Sequence, residues 1–248
     1  MHDVNVERIG LEGPHLVMLH GWGQSLKNLQ PLGELLSDNA QVHLIDLPGF
    51  GLSKAPPEAW SSFQYADHII HYLDQHKIEQ CCLLGHSFGG KVAMSLAVRY
   101  PDRVKRLILM GSSGLKRRRA GKERMRFKLI NYFGKAVKML DKVTKTDFFR
   151  KWFSPKFGSA DYLQADPKMR AILVKSVNED MSKYLAEIKA PTLLLWGRDD
   201  QETPLEVAER LKKSIKNSQL VVFDEKGHYI HQDCGSHLCA SYIIPFLS

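Results

Sequence analysis

Short apolar runs alternate with segments of helical periodicity along most of the chain. The runs are HLVMLHG (15–21), QVHLIDL (41–47), CCLLGH (81–86), VKRLILMG (104–111), PTLLLWG (191–197) and QLVVFD (219–224). They are nearly continuous in apolar residues rather than alternating, the pattern of strands buried on both faces. Helical spacing lies between them. Leu29, Leu32, Leu35 and Leu36 share one face over 28–36, and Phe63, Ala66, Ile69, Ile70 and Leu73 share one over 62–76. Further helices are expected over 88–99, 204–215 and 234–246. This alternation predicts an α/β fold with a mostly parallel sheet and helices on both faces. Functional groups then gather on loops at the carboxyl ends of the strands.

The alternation stops between Ser113 and Pro191. That stretch is helical in pattern and basic. Leu115 to Lys183 holds 19 Lys+Arg against 7 Asp+Glu, in a chain whose formal charge is +8 over 248 residues. The remainder is therefore negative. Two kinds of segment are expected: a sheet domain over 1–112 and 190–248, and a helical insertion, a lid, over 113–189. Leu129, Ile130, Phe133, Val137, Met139 and Leu140 stand at helical spacing, and we expect them to pack the insertion onto the body. Trp152, Phe153 and Phe157 are candidates to line an apolar substrate pocket. The run Lys116, Arg117, Arg118, Arg119 continues through Lys122, Arg124, Arg126 and Lys128. Its plain reading is a solvated basic face. Its functional reading is anion docking at Arg117, Arg118 and Arg119, for an acidic acyl carrier protein, a phosphorylated or carboxylated substrate, or anionic lipid headgroups.

Composition narrows the field. Apolar residues make up 44 % and charged residues 25 %, ordinary for a folded domain. No apolar run approaches the ~18 residues of a membrane span. The start, MHDVNVERIG, lacks the basic and apolar regions of a signal peptide. Four cysteines do not make a disulfide scaffold and are expected as reduced thiols, which places the chain in the cytoplasm. No P-loop, dinucleotide fingerprint or metal-ligand set stands out, so no cofactor and no metal are expected. Nucleic acid is not expected as a partner, since neither a recognition motif nor a base-stacking platform appears.

Gly85-His86-Ser87-Phe88-Gly89 is a G-x-S-x-G element between an expected strand and an expected helix. A sharp turn there holds the serine in a strained backbone and pushes its hydroxyl outward. The flanking positions must be glycine because side chains would clash. A serine hydroxyl needs a base to act as a nucleophile, and the base needs an orienting acid. His228 follows the strand QLVVFD and Asp200 follows PTLLLWG, so Ser87, Asp200 and His228 form a candidate catalytic triad. His231 and His237 remain rivals for the base, and Asp199 for the acid. His43, His68, His71 and His76 read as structural. An oxyanion hole needs two backbone donors, for which Phe88 and Trp22 are candidates. Trp22 stands in His20-Gly21-Trp22-Gly23 after the first run.

HGWG (20–23), DLPGFGLS (46–53), GHSFGG (85–90), PDRVKRLIL (101–109), PTLLLWGRDDQETP (191–204) and KGH (226–228) together resemble the α/β-hydrolase superfamily over nearly the whole chain. That resemblance implies a G-x-x-D-x-x-x-P element after the late strand. With Gly197 and Pro204 as its ends, its acid is Asp200. HGWG and DLPGFGLS are also similar to carboxylesterases that cleave the methyl ester of pimeloyl-acyl carrier protein. There the residue before the nucleophile is typically Trp, and here it is His86. WGRDD is shared with hydrolases that split carbon–carbon bonds in ring-cleavage products. The resemblance implies a serine hydrolase acting on an ester or thioester, small or bound to an acyl carrier. The alternatives are a C–C bond hydrolase of diketo acids and a non-catalytic binding protein on the same scaffold. Haloalkane dehalogenases and epoxide hydrolases use Asp where this chain has Ser87.

Overall fold

The computed structural model describes residues 4–116, 121–146, 162–163 and 165–248. Seven strands form one sheet: β1 (Val6–Ile9), β2 (His15–Leu19), β3 (Gln41–Ile45), β4 (Cys81–His86), β5 (Val104–Met110), β6 (Thr192–Gly197) and β7 (Ser218–Phe223). Their spatial order is β1-β3-β2-β4-β5-β6-β7, parallel throughout except for β1, which runs antiparallel to β3. The helices among the described residues include α1 (Gln30–Leu36), α2 (Ser62–Gln75), α3 (Phe88–Arg99), α4 (Gly121–Thr144), α5 (Pro167–Asn178), α6 (Leu205–Ser214) and α7 (Gly235–Leu247).

The continuous apolar runs are buried on both faces, as their composition requires. Val17 and Leu19 of β2, Leu83 of β4 and Leu107 and Leu109 of β5 pack under α2, α3 and α6. Leu16, Met18, Cys82, Leu84, Ile108 and Met110 alternate with them and pack under α1 and α7. Two hydrophobic layers, one on each side of the sheet, therefore fix the register, because a one-residue slip would exchange them. All four cysteines are free, and three of them are buried. The five strands placed between positions 15 and 111 and at 191–197 fall within a residue or two of expectation, as does β7. Strand β1 was not foreseen. It is a four-residue edge strand containing Glu7 and Arg8, too short and too polar to stand out.

Between β5 and β6 the chain leaves the sheet. Helix α4 is one 24-residue helix. The expected packing of its apolar residues onto the body does not hold for Phe133, Met139 and Leu140, which are exposed. The reason is rotational: Gly134 is buried and Val137 half-buried, so the side of α4 turned to the protein is another one. Helix α5 does pack inward, through Met169 and Ile172, and is capped by Asp166, whose carboxylate accepts from the Lys168 and Met169 amides.

Candidate active site

Ser87 sits between β4 and α3 with φ +49° and ψ −111°, a conformation few non-glycine residues adopt. Its backbone is held on two sides: its amide donates to Met110 O at 3.0 Å, and its carbonyl accepts from the Ser113 amide at 3.0 Å. The flanking glycines are steric requirements. A Cβ at Gly85 would lie 2.5 Å from Gly89 O, and one at Gly89 would lie 2.1 Å from Leu19 O. The strain at Ser87 is thus over-determined by its surroundings, and α3 begins immediately behind it at Phe88.

Asp200 and His228 meet across the loops after β6 and β7. His228 Nδ1 lies 2.8 Å from Asp200 Oδ2, and both side chains are almost wholly buried. Every oxygen of Asp200 is used. Oδ1 accepts from the Glu202 and Thr203 amides at 2.9 and 2.8 Å, and Oδ2 also lies 2.8 Å from the Thr203 hydroxyl. Three donors on a buried carboxylate fix its orientation and, with it, the imidazole's. The loop is pinned from below by Trp196, whose indole donates to Thr203 O at 2.7 Å. At the other ring nitrogen, His228 Nε2 lies 3.3 Å from Glu202 Oε2. Asp199, the rival acid, is exposed. His231 is buried with no hydrogen-bond partner at either ring nitrogen among the described residues, and burial beside His228 holds it down to about 4. His237 is exposed on α7.

His86 stands immediately before the serine. It is buried, its Nε2 donates to the His228 carbonyl at 3.1 Å, and its ring centroid lies 4.8 Å from that of His228, tilted, and 4.5 Å from that of His231, edge-on. Burial, and then the two neighbouring imidazoles, keep it well below the usual histidine range. The HGWG loop is locked in a similar way. His20 Nδ1 donates to Gly21 O at 2.7 Å, and its Nε2 accepts from the Leu47 amide at 3.0 Å, an arrangement that requires the neutral ring. Burial lowers the His20 pKa and so favours that form.

Ser87, Phe88 and Trp22 open into one cavity of about 450 Å³. Its other walls come from Lys91 on α3, Leu173, Ser176 and Val177 on α5, and Glu202 and Thr203 beside His228. Trp22 is braced edge-on against Phe50 and Phe88. Lys91 is the feature that sequence reasoning missed. It lies one helical turn past Ser87, is 3 % exposed, and donates through Nζ to Ser176 O at 2.5 Å. Burial pulls its pKa down to about 8 against the opposing pull of Glu179 and Asp180. Nothing in the local sequence marks it, because a lysine on an otherwise apolar helix reads as a surface residue until the inserted α5 covers it. Trp152, Phe153, Phe157, Arg117, Arg118 and Arg119 lie outside the described residues. Among the described residues no group of three His, Cys, Asp or Glu is placed to hold a metal ion, and no helix is long and apolar enough to cross a membrane.

Comparison with known proteins agrees with this architecture. A 2-hydroxy-6-oxononadienedioate/2-hydroxy-6-oxononatrienedioate hydrolase of Cupriavidus pinatubonensis is 31 % identical over 235 residues, covering 86 % of this chain and 80 % of that protein. A 2-hydroxymuconate semialdehyde hydrolase of a Pseudomonas species is 30 % identical over 94 % of this chain and 86 % of its own length. The solved structure of a meta-cleavage product hydrolase from Pseudomonas fluorescens superposes with a TM-score of 0.72 at 24 % identity, over 98 % of this chain and 93 % of that one. Residues 14–233 match the family described as alpha/beta hydrolase fold, and the chain belongs to that family.

Proposed function

We propose that the chain is a serine hydrolase in which Ser87, His228 and Asp200 act as a triad on a small substrate bearing a carboxylate. The observation that carries this reading is the 2.8 Å bond between His228 Nδ1 and Asp200 Oδ2, beside the cavity that Ser87 lines. His228 Nε2 takes the proton of Ser87 as Oγ attacks a carbonyl carbon. Asp200 holds the ring in the tautomer that leaves Nε2 free to do so and stabilises the imidazolium. The developing oxyanion is received by the Phe88 and Trp22 amides, helped by the amino end of α3. His228 then returns the proton to the leaving group, and water repeats the sequence to release the acyl product.

For the bond cleaved, the reading favoured is the carbon–carbon bond beside the ketone of a 2-hydroxy-6-oxo-dienoic acid, the substrate class in the names of the relatives. The buried Lys91 ammonium supports it, because a cation in the cavity wall suits a substrate carboxylate. Ester cleavage is the second reading. It is favoured by Ser87 and the two amides beside it, which ask for a carbonyl and place no condition on the leaving group. The segment 113–189 is read as a lid, because α5 forms the wall of the cavity facing α3.

A fluorophosphonate probe tests the triad: the adduct is expected on Ser87 and absent from His228→Ala. A folded wild-type protein that takes up no probe would overturn the proposal. Turnover of a 2-hydroxy-6-oxo-dienoic acid, set beside p-nitrophenyl acetate, separates the two bond types.

A further inference from the structure

Helix α4 carries the largest set of exposed apolar side chains among the described residues. Met125, Tyr132, Phe133, Met139, Leu140 and Val143 are between 59 and 75 % exposed. Their order is regular. Met125, Tyr132, Ala136, Met139 and Val143 repeat at intervals of seven, four, three and four, which places them in one stripe along the helix, with Phe133 and Leu140 at its margin. The helix has 24 residues and spans about 36 Å. Gly134 and Val137, which turn toward the protein, lie on the side away from the stripe. The apolar face therefore looks outward, where a soluble domain ordinarily carries charge.

The charge is present, beside the stripe. Positions 124, 128, 135, 138 and 142 are Arg or Lys, and at 3.6 residues per turn they fall roughly a quarter of a turn from the apolar line. Between Lys116 and Lys145 the sequence holds 12 Lys+Arg and only Glu123 and Asp141 as acids. An exposed apolar stripe flanked by a basic row has the two components of helices that lie in a bilayer interface. The stripe sinks to the level of the acyl chains, and long basic side chains reach back to the phosphates. We propose that α4 is an interfacial anchor that docks this protein onto the surface of an anionic lipid bilayer without crossing it.

An acidic protein partner fits the same charge less well. It would satisfy the basic row, but it leaves several exposed apolar residues over a straight 36 Å line (about six turns of helix) to be matched by one rigid groove. A bilayer meets both demands at any rotation about its normal. The remainder of the chain, negative in sum, is repelled by the same surface, so α4 becomes the side that faces lipid.

Sedimentation of the full chain with vesicles tests this. Vesicles of phosphatidylglycerol and phosphatidylcholine, in a ratio of one to two, are expected to pull down at least about tenfold more protein than phosphatidylcholine alone at about 0.1 M salt. Met139→Asp/Val143→Asp removes apolar depth and is expected to abolish binding, with probe labelling at Ser87 unchanged as the control for folding. Lys138→Glu/Lys142→Glu reverses charge and leaves the stripe intact; it is expected to lower binding several-fold and to weaken its dependence on salt. The proposal is overturned if the wild type ignores anionic vesicles, if both double variants bind as the wild type does, or if an acyl carrier protein is bound and vesicles are not.

Discussion

The sheet body and the segment inserted between β5 and β6 are built on different terms. In the body each functional group is held by several independent contacts: Ser87 by its amide, its carbonyl and two clashing glycine positions, Asp200 by two amides, a hydroxyl and an imidazole. The inserted segment is strongly basic, exposes apolar side chains along α4, and among the described residues touches the cavity through 113–116 and α5. The body fixes the groups of the proposed triad, and reacting atoms tolerate little displacement. The insertion supplies a wall, which can be rebuilt without moving them. A frame of this kind lets the wall of the cavity vary while the groups around Ser87 stay in place.

The comparison breaks first if the body is not the seat of chemistry. Ser87→Ala is expected to abolish turnover, and Asp200→Asn to lower kcat by about 10³–10⁴ with the fold intact, because the imidazole loses its charged partner and its tautomer. Steady-state kinetics together with a thermal melt check both. An Asp200→Asn protein within about tenfold of the wild type would remove Asp200 from the triad.

The second expectation concerns the junction of the two regions. Lys91→Met is expected to raise KM for an acid substrate about 10- to 100-fold, consistent with loss of a charge-assisted hydrogen bond, while a neutral ester changes little. Its pH dependence has a definite sign. The Lys91 ammonium titrates at about 8 when folded, below its ordinary value near 10.5, because burial penalises the charged form. Its charge is present below pH 8, so KM for the acid should rise as the pH climbs past 8, and the rise should vanish in Lys91→Met. Stability moves the other way. Between pH 8 and 10.5 the unfolded chain binds more protons at this group, so Lys91 destabilises less as pH rises. Equal losses on acid and neutral substrates would reduce Lys91 to a clasp on the Ser176 carbonyl.

The smallest effect is expected on the outer rim of the body. Arg198 and Asp224 form an ion pair in which both side chains are more than half exposed. Asp224→Asn should move the melting temperature by no more than a degree or two, since exposed pairs are worth about 0–1 kcal/mol and are screened by salt. A larger change would place this pair among the contacts that hold the late loops.

Much of the body was legible in the sequence because its physics is local. Runs such as LVML and CCLL announce buried strands, and the glycines around Ser87 announce a turn that forbids a Cβ. The choice of Asp200 over Asp199 rested on resemblance, and that of His228 over His231 on its place directly after QLVVFD; the geometry adds burial of Asp200 and its bond to His228. What escaped was non-local. Lys91 is remote from α5 in sequence, and only the covering helix turns it into a buried cation. The Thr203 hydroxyl and the Trp196 indole look like ordinary residues until the loop closes on them. For α4, periodicity shows that an apolar stripe exists and says nothing of which way it turns.

Asp46, in the DLPGFGLS block, gives that block a meaning apart from reaction chemistry. Its carboxylate accepts from the Leu26 amide at 2.7 Å, the Leu52 amide at 2.9 Å and the Asn5 side chain at 2.8 Å. One buried side chain thereby rivets the leader of β1, the turn entering α1 and the loop beyond β3. Sequences that retain this block advertise a common frame. Two proteins can carry it and dispose of quite different molecules, so the identity of the substrate must be sought at the residues facing the cavity, where the frame makes no demand.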